Sequence, residues 1–146
     1  MPTAAKLVAA IFFAALGWLA GEIFGHLLPP EVQHGLLNPV AALLGAIAGW
    51  RVSGRLVGKG WTEAATNGVR TAITAGFMVT FIFSTYDMIT RALKRLYDGP
   101  MPAVLDIFNI MLTYGRMMLA TNFVATVVVG GVIGGLITEW ASRRWR

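Results

Sequence analysis

A run of 21 residues without a formal charge, from Met117 to Ile137, constrains this chain more than any other feature. A transmembrane helix needs about 20 mostly apolar residues to cross the hydrocarbon core of a bilayer. Three further apolar stretches precede this run. In lipid every backbone N–H and C=O needs an internal partner, so such spans must be helices. The sequence therefore predicts an all-α integral membrane protein.

The apolar stretches predict a bundle of about four transmembrane helices in a single domain, residues 1–146. The spans fall at about residues 6–28, 36–57, 67–90 and 117–138. The first ends at Pro29-Pro30, because proline cannot continue a helix. A cleavable signal peptide is the alternative for this segment. However, Gly21-Glu22-Ile23 is a poor cleavage site, and the apolar pattern resumes beyond it.

The region between the third and fourth spans mixes charged and apolar residues. Lys94, Arg95 and Asp98 interrupt the membrane pattern. Residues 103–115 then place Asp106 among leucine, isoleucine and phenylalanine side chains. This mixture is typical of a short helix that lies in the membrane interface. The alternative is that these residues form the first turns of a long, tilted fourth span.

Composition and charge agree with a membrane location. Hydrophobic residues make up 56% of the chain and charged residues 13%, whereas soluble domains carry about 25% charged residues. The net charge of +5 comes from basic residues at the ends of the apolar runs. That placement is typical of membrane flanks, and we expect no nucleic-acid partner.

The basic residues also predict the orientation in the membrane. Four spans put both termini on one side, which collects eight of the 12 Lys and Arg residues: Lys6, Arg51, Arg55, Lys59, Arg70, Arg143, Arg144 and Arg146. The other side holds Arg91, Lys94, Arg95 and Arg116. The positive-inside rule then predicts cytoplasmic termini and a bacterial inner-membrane location.

Glycines recur at intervals of four residues, about one helical turn. Such glycines form a groove in which two helix backbones approach closely. The predicted packing residues are Gly17, Gly21, Gly25, Gly45, Gly49, Gly130, Gly131, Gly134 and Gly135. Asn122 is expected to add a buried interhelical hydrogen bond worth about 1 kcal/mol. These surfaces would serve packing within one chain or an interface with a partner chain.

Glu22 and His26 stand one turn apart on the first span. An ionisable residue inside a span suggests a function. The pair could relay protons, or supply two metal ligands together with His34 or Glu31 from the adjacent loop. The simpler interpretation is a locally satisfied pair that faces the headgroups.

Catalytic and cofactor motifs are missing from the sequence. The chain has no cysteine, which excludes a disulfide, a thiolate metal site and a cysteine nucleophile. It also lacks a phosphate-binding glycine loop with lysine, and a nucleophile–base–orienter set. An ion pair between Asp87 and Arg91 explains both residues without a function. We expect a non-enzymatic protein without a cofactor.

Several short stretches resemble one family of membrane proteins. Residues 1–10, the stretch Asn38-Pro39-Val40, and the basic exit with Gly49-Trp50-Arg51-Val52 and Gly54-Arg55 are similar to the TrgA family. These are small bacterial membrane proteins associated with tellurite resistance. The resemblance extends to the four-span layout and the basic tail. It implies a role in tolerance to tellurite, or in the membrane state that tolerance requires.

Three functions remain open. The first is a non-enzymatic protein that packs by its glycine faces in the lipid bilayer, as a homo-oligomer or as an accessory subunit of a larger membrane complex. The second is a small oligomeric transporter or channel for an ion or oxyanion. The third is an enzyme or metal-handling protein centred on Glu22 and His26. We predict the first, because a lone transporter needs ionisable or broken-helix sites near the membrane midplane.

Overall fold

A computed structural model describes residues 3–29 and 35–145. These residues form α1 (Thr3–Leu27), α2 (Leu37–Arg51), a 3-10 turn (Ser53–Arg55), α3 (Trp61–Leu93), α4 (Pro100–Met118) and α5 (Thr121–Arg144). No strand occurs within these two ranges, which confirms that the described fold is all-α. Three helices, α1, α3 and α5, are long and apolar enough to cross a membrane.

The predicted second span is shorter than expected. α2 has 15 residues, or about 22 Å of helix, against a hydrocarbon core of about 30 Å. The helix ends at Arg51, and the 3-10 turn replaces the predicted continuation to 57. Ser53 and Gly54 in this turn are buried. A Cβ added at Gly54 would lie 2.6 Å from Cγ of Lys6, so the turn packs tightly against α1. Four spans are therefore not confirmed.

α3 is longer than the predicted third span. It begins at Trp61, before the predicted start at 67, and has 33 residues, or about 50 Å of helix. Gly58 and Gly60 precede it with φ of +91° and +120°. Side chains with a Cβ rarely adopt such φ values, so glycine is required where the chain reverses into α3.

α1 and α2 pack antiparallel to each other, as do α3 and α4. The most extensive contacts join α1 to α2 and α3 to α5. α5 also runs antiparallel to α1, because Gly134 lies against Phe12 and Gly130 against Leu16. The start of α1 and the end of α5 consequently lie at one end of the bundle, which we call the termini end. The loop between α3 and α4 lies at the opposite, hairpin end.

α4 and α5 together run alongside α3, antiparallel to it. α4 lies beside the second half of α3, where Tyr114 hydrogen-bonds Asp87. α5 lies beside the first half, where Gly131 packs on Gly68. Between the two helices Ala120 is extended, with φ −56° and ψ 134°. The predicted fourth span, 117–138, is thus divided and displaced: its first residues close α4, and α5 continues to Arg144.

The predicted interfacial segment, 103–115, belongs to α4 and runs along α3 instead of across the end of the bundle. Ile110 and Tyr114 are its buried residues, and they join the main core cluster near the hairpin end. In that cluster the Phe24 ring meets the rings of Tyr114 and Phe123 edge-on, with centroids 5.7 and 5.9 Å apart. One aromatic side chain of α1 therefore joins α4 and α5.

Candidate functional site

The glycines of α1 and α2 bring these two helices into backbone contact. A Cβ added at Gly49 would lie 2.6 Å from the carbonyl oxygen of Ala9. Added Cβ atoms at Gly17 and Gly45 would overlap the carbonyl oxygens of Ala41 and Phe13. A Cβ added at Gly21 would lie 3.0 Å from Oδ1 of Asn38. These four glycine surfaces are occupied within the chain itself.

A second glycine contact joins α3 to α5. Added Cβ atoms at Gly131 and Gly135 would meet the α3 backbone at Val69 and Ala64. Gly68 completes this contact from the α3 side, where an added Cβ would overlap the carbonyl oxygen of Gly131. The spacing rule missed Gly68, because no glycine stands four residues before or after it.

Two of the predicted α5 glycines face α1, and one predicted glycine of α1 lies away from close contacts. Gly130 and Gly134 accommodate the side chains of Leu16 and Phe12. Gly25 is open, since its nearest neighbour would be Leu37 Cδ2 at 3.8 Å from an added Cβ.

Asn122 does not supply the expected buried hydrogen bond. It is exposed in the first turn of α5. Its backbone carbonyl oxygen, not its side-chain amide, accepts a hydrogen bond from the hydroxyl of Thr126. The break at Ala120 places this amide at a helix end instead of in the middle of a span, which is why it is not covered by a neighbouring helix.

Glu22 and His26 are both exposed on α1. Within residues 3–29 and 35–145, no group of three or more His, Asp or Glu side chains could hold a metal ion. His34 and Glu31, the other ligands considered, lie outside the described residues. In the described part of the chain Glu22 also forms no ion pair. Its carboxylate faces away from the bundle.

Glu139, a residue that the sequence patterns did not single out, lies at the termini end. Its side chain is 1% exposed. The backbone N–H of Gly58 donates to Oε2 at 2.6 Å, and Nε of Arg143 donates to Oε1 at 3.0 Å. Arg143 also lies over the ring of Trp61, 5.1 Å from its centroid. This cluster fixes the loop before α3 to the end of α5. The four-residue spacing of Glu139 and Arg143 was the available signal.

Paired polar residues hold α4 against α3 at the hairpin end. Buried Tyr114 donates a hydrogen bond to Asp87, which is also buried. Nearer the loop, Arg91, which was predicted to pair with Asp87, forms an ion pair with Asp106 at 2.9 Å. The hydroxyl of Tyr97 donates to the same Asp106. Burial and this hydrogen bond raise the pKa of Tyr97 above its usual value.

A cleft of about 890 Å³ opens between α1, α3 and α4, and the first turns of α5 close its inner side. Its walls are apolar along nearly their whole extent, with Phe13 at one end and Phe24 at the other. Small residues widen it: Gly76 and Gly115 line the cleft, and added Cβ atoms there would meet nothing within 4 Å. A hydrocarbon ligand suits such walls better than an ion does.

Among the described residues, two polar side chains line this cleft, and only one of them is charged. The hydroxyl of Thr80 is already hydrogen-bonded: it donates to the backbone oxygen of Gly76 at 2.8 Å and contacts Sδ of Met118 at 3.4 Å. Arg116 lies in the last turn of α4 and is exposed. Across the described ranges it forms no ion pair. Its guanidinium is available to an anion at the edge of the cleft.

No protein-family model, no curated protein and no solved structure matches this chain.

Proposed function

We propose that this chain is a non-enzymatic, multi-pass protein of a bacterial inner membrane that acts through helix–helix association, as a homo-oligomer or as an accessory subunit of a larger membrane complex. Both termini then face the cytoplasm, with α2 as a short fourth span. The resemblance to TrgA proteins extends the proposal to tellurite tolerance as the process served.

The exposed carboxylate of Glu22 carries the proposal of a partner. Glu22 shares an exposed face of α1 with Ile11 and Trp18, both large and apolar. It follows Lys6 by 16 residues, about 24 Å of helix, and so falls inside a hydrocarbon core of about 30 Å that begins at Lys6. Ionisable groups at such depth usually face protein or water and are paired. A partner chain on this face would supply that pairing.

The association surface differs from the one that the glycine spacing indicates. Most of the predicted glycines pack helices of the same chain, as described above for α1–α2 and α3–α5. They make a close-packed frame and leave the outer face of α1 for a partner. The apolar walls of the cleft give no support to the second candidate, an ion or oxyanion path.

Single cysteines test this proposal cleanly, because the natural chain contains none. Ile11→Cys places a thiol on the outer face of α1. Ile133→Cys is the control, an exposed isoleucine on α5 that lies outside the cleft and at about the same level of the bundle. In native membranes we expect oxidation or a short bifunctional reagent to link Ile11→Cys to one defined partner, identified by mass spectrometry. Adding Glu22→Leu to the Ile11→Cys variant should lower the yield of the cross-linked product. Equal cross-linking at both positions, or a monomer throughout, would contradict the proposal.

A further inference from the structure

The cleft has the length of one leaflet of a bilayer. On α1 it extends from Phe13 to Phe24, 11 residues and hence about 16 Å of helix. The hydrocarbon core is about 30 Å thick, so one leaflet contributes about 15 Å. The Phe24 end lies in the core cluster near the hairpin end. The cleft therefore occupies the half of the bundle that is remote from the chain termini.

Arg116 marks the headgroup end of this cleft. Tyr114 contacts Phe24, and the backbone of Arg116 follows two residues later, about 3 Å further from the hairpin end. Helical side chains lean toward the N-terminus of their helix, which for α4 is the hairpin end. The long side chain of Arg116 therefore reaches back toward the headgroups. The guanidinium thus stands within a turn of the Phe24 end, while the opposite end at Phe13 and Ala72 is wholly apolar. A positive charge at one end and an apolar channel below it complement an anionic amphiphile with its head beside Arg116.

We propose that this cleft binds one acyl chain of a phospholipid from the surrounding bilayer, and that Arg116 holds the lipid phosphate. Arginine presents several N–H donors in a planar fork that matches phosphate oxygens. The acyl chain lies against Gly76 and Gly115, whose missing side chains leave the room for it. The site faces the leaflet at the hairpin end.

Charge and polarity favour a phospholipid as the occupant of the cleft. The cleft holds about 890 Å³, within the usual range of ligand pockets. Its apolar walls suit an acyl chain, and Arg116 is the one charged residue among the described residues that line it. Cleft-lining residues of α1 such as Gly17 and Ala20 also lie on the side opposite Ile11 and Glu22, so the lipid site and the partner face are separate.

Native mass spectrometry of the full chain, extracted gently from vesicles of phosphatidylcholine and phosphatidylglycerol, tests the proposal. Wild type should retain one phospholipid per chain. Gly76→Phe fills the cleft and should remove that lipid, while Ala125→Phe, exposed on α5 outside the cleft, should keep it. Arg116→Gln should lower phosphatidylglycerol occupancy about fivefold. Arg70→Gln, an exposed arginine of α3 outside the cleft, is its control.

Diacylglycerol with the same acyl chains separates the two parts of the site. Without a phosphate, it should bind wild type and Arg116→Gln equally and should still be excluded by Gly76→Phe. Lipid retained equally by all variants would overturn the proposal. So would a polypeptide that co-purifies with wild type and is lost in Gly76→Phe.

The inference rests on the membrane location proposed above and not on the association through α1. If Gly76→Phe loses its lipid while Ile11→Cys stays uncross-linked, the lipid site stands and the association fails. If Ile11→Cys is still cross-linked and the lipid binds every variant, the association through α1 stands and the lipid site fails.

Discussion

Gly68 of α3 and Gly131 of α5 pack backbone against backbone, so closely that a Cβ added at Gly68 would overlap the carbonyl oxygen of Gly131. The same Cβ would also lie 2.7 Å from the backbone nitrogen of Gly135. Backbone atoms cannot yield as the end of a flexible side chain can. Any larger residue at 68 must therefore separate the two helices.

Gly68→Ala should lower the free energy of unfolding by about 1–3 kcal/mol, as overpacking of a close contact does. Thermal unfolding in a mild detergent, followed by circular dichroism, measures the loss. Gly76→Ala is the matched control on the same helix, because its added Cβ meets nothing within 4 Å. Equal midpoints for the two variants would show that α3 and α5 do not pack as described.

The α1–α2 contact gives an independent pair of glycines for comparison. Gly49→Ala should be destabilising by about 1–3 kcal/mol, since the new Cβ would lie 2.6 Å from Ala9 O. Gly25→Ala should be neutral or stabilising, because alanine is the better helix former by about 1 kcal/mol and Gly25 has only the Leu37 side chain nearby. Thermal unfolding in a mild detergent measures both changes in stability. A loss at Gly25 comparable to that at Gly49 would contradict the contact pattern.

The long apolar helices could be predicted from sequence, because length and hydropathy are local properties. α1 and the apolar parts of α3 and α5 agree with the predicted spans. The end of α2 could not be placed in the same way: apolar and basic residues continue to Val57, but burial of Ser53 and Gly54 against α1 favours a turn there. That contact joins residues distant in sequence, which no local pattern reveals.

The break between α4 and α5 is also imposed by tertiary contacts. Leu119-Ala120 contains neither proline nor glycine, so the sequence carries no stop signal there. In one continuous helix Tyr114 and Phe123 would stand about 13 Å apart along the axis. Both rings contact Phe24, at 5.7 and 5.9 Å, and a break between them makes this possible. Gly68 was missed for a related reason, since its partner glycines lie on another helix.

The buried contacts of Glu139 predict that this side chain stabilises the protein at the termini end. Glu139→Ala should cost about 1.5–3 kcal/mol, because it leaves the Gly58 N–H and Arg143 without their acceptor. Glu63→Ala, an exposed acidic residue in the first turn of α3, is the control. Limited proteolysis should show faster cleavage between α2 and α3 in Glu139→Ala. Unchanged cleavage would mean that the carboxylate does not fix this loop.

The hydrogen bond between Tyr114 and Asp87 predicts an energetic coupling between α4 and α3. Both side chains are buried, and hydrogen bonds between membrane helices contribute about 0.6 kcal/mol on average. Tyr114→Phe and Asp87→Asn should therefore each destabilise the protein, and the double variant should lose less than the two losses added together. A double-mutant cycle on thermal unfolding measures the difference. Thr113→Val with Asp87→Asn is the control pair, because Thr113 is exposed and its hydroxyl donates to Asn109 O of its own helix. Strict additivity for Tyr114 and Asp87 would show that this hydrogen bond does not couple α4 to α3.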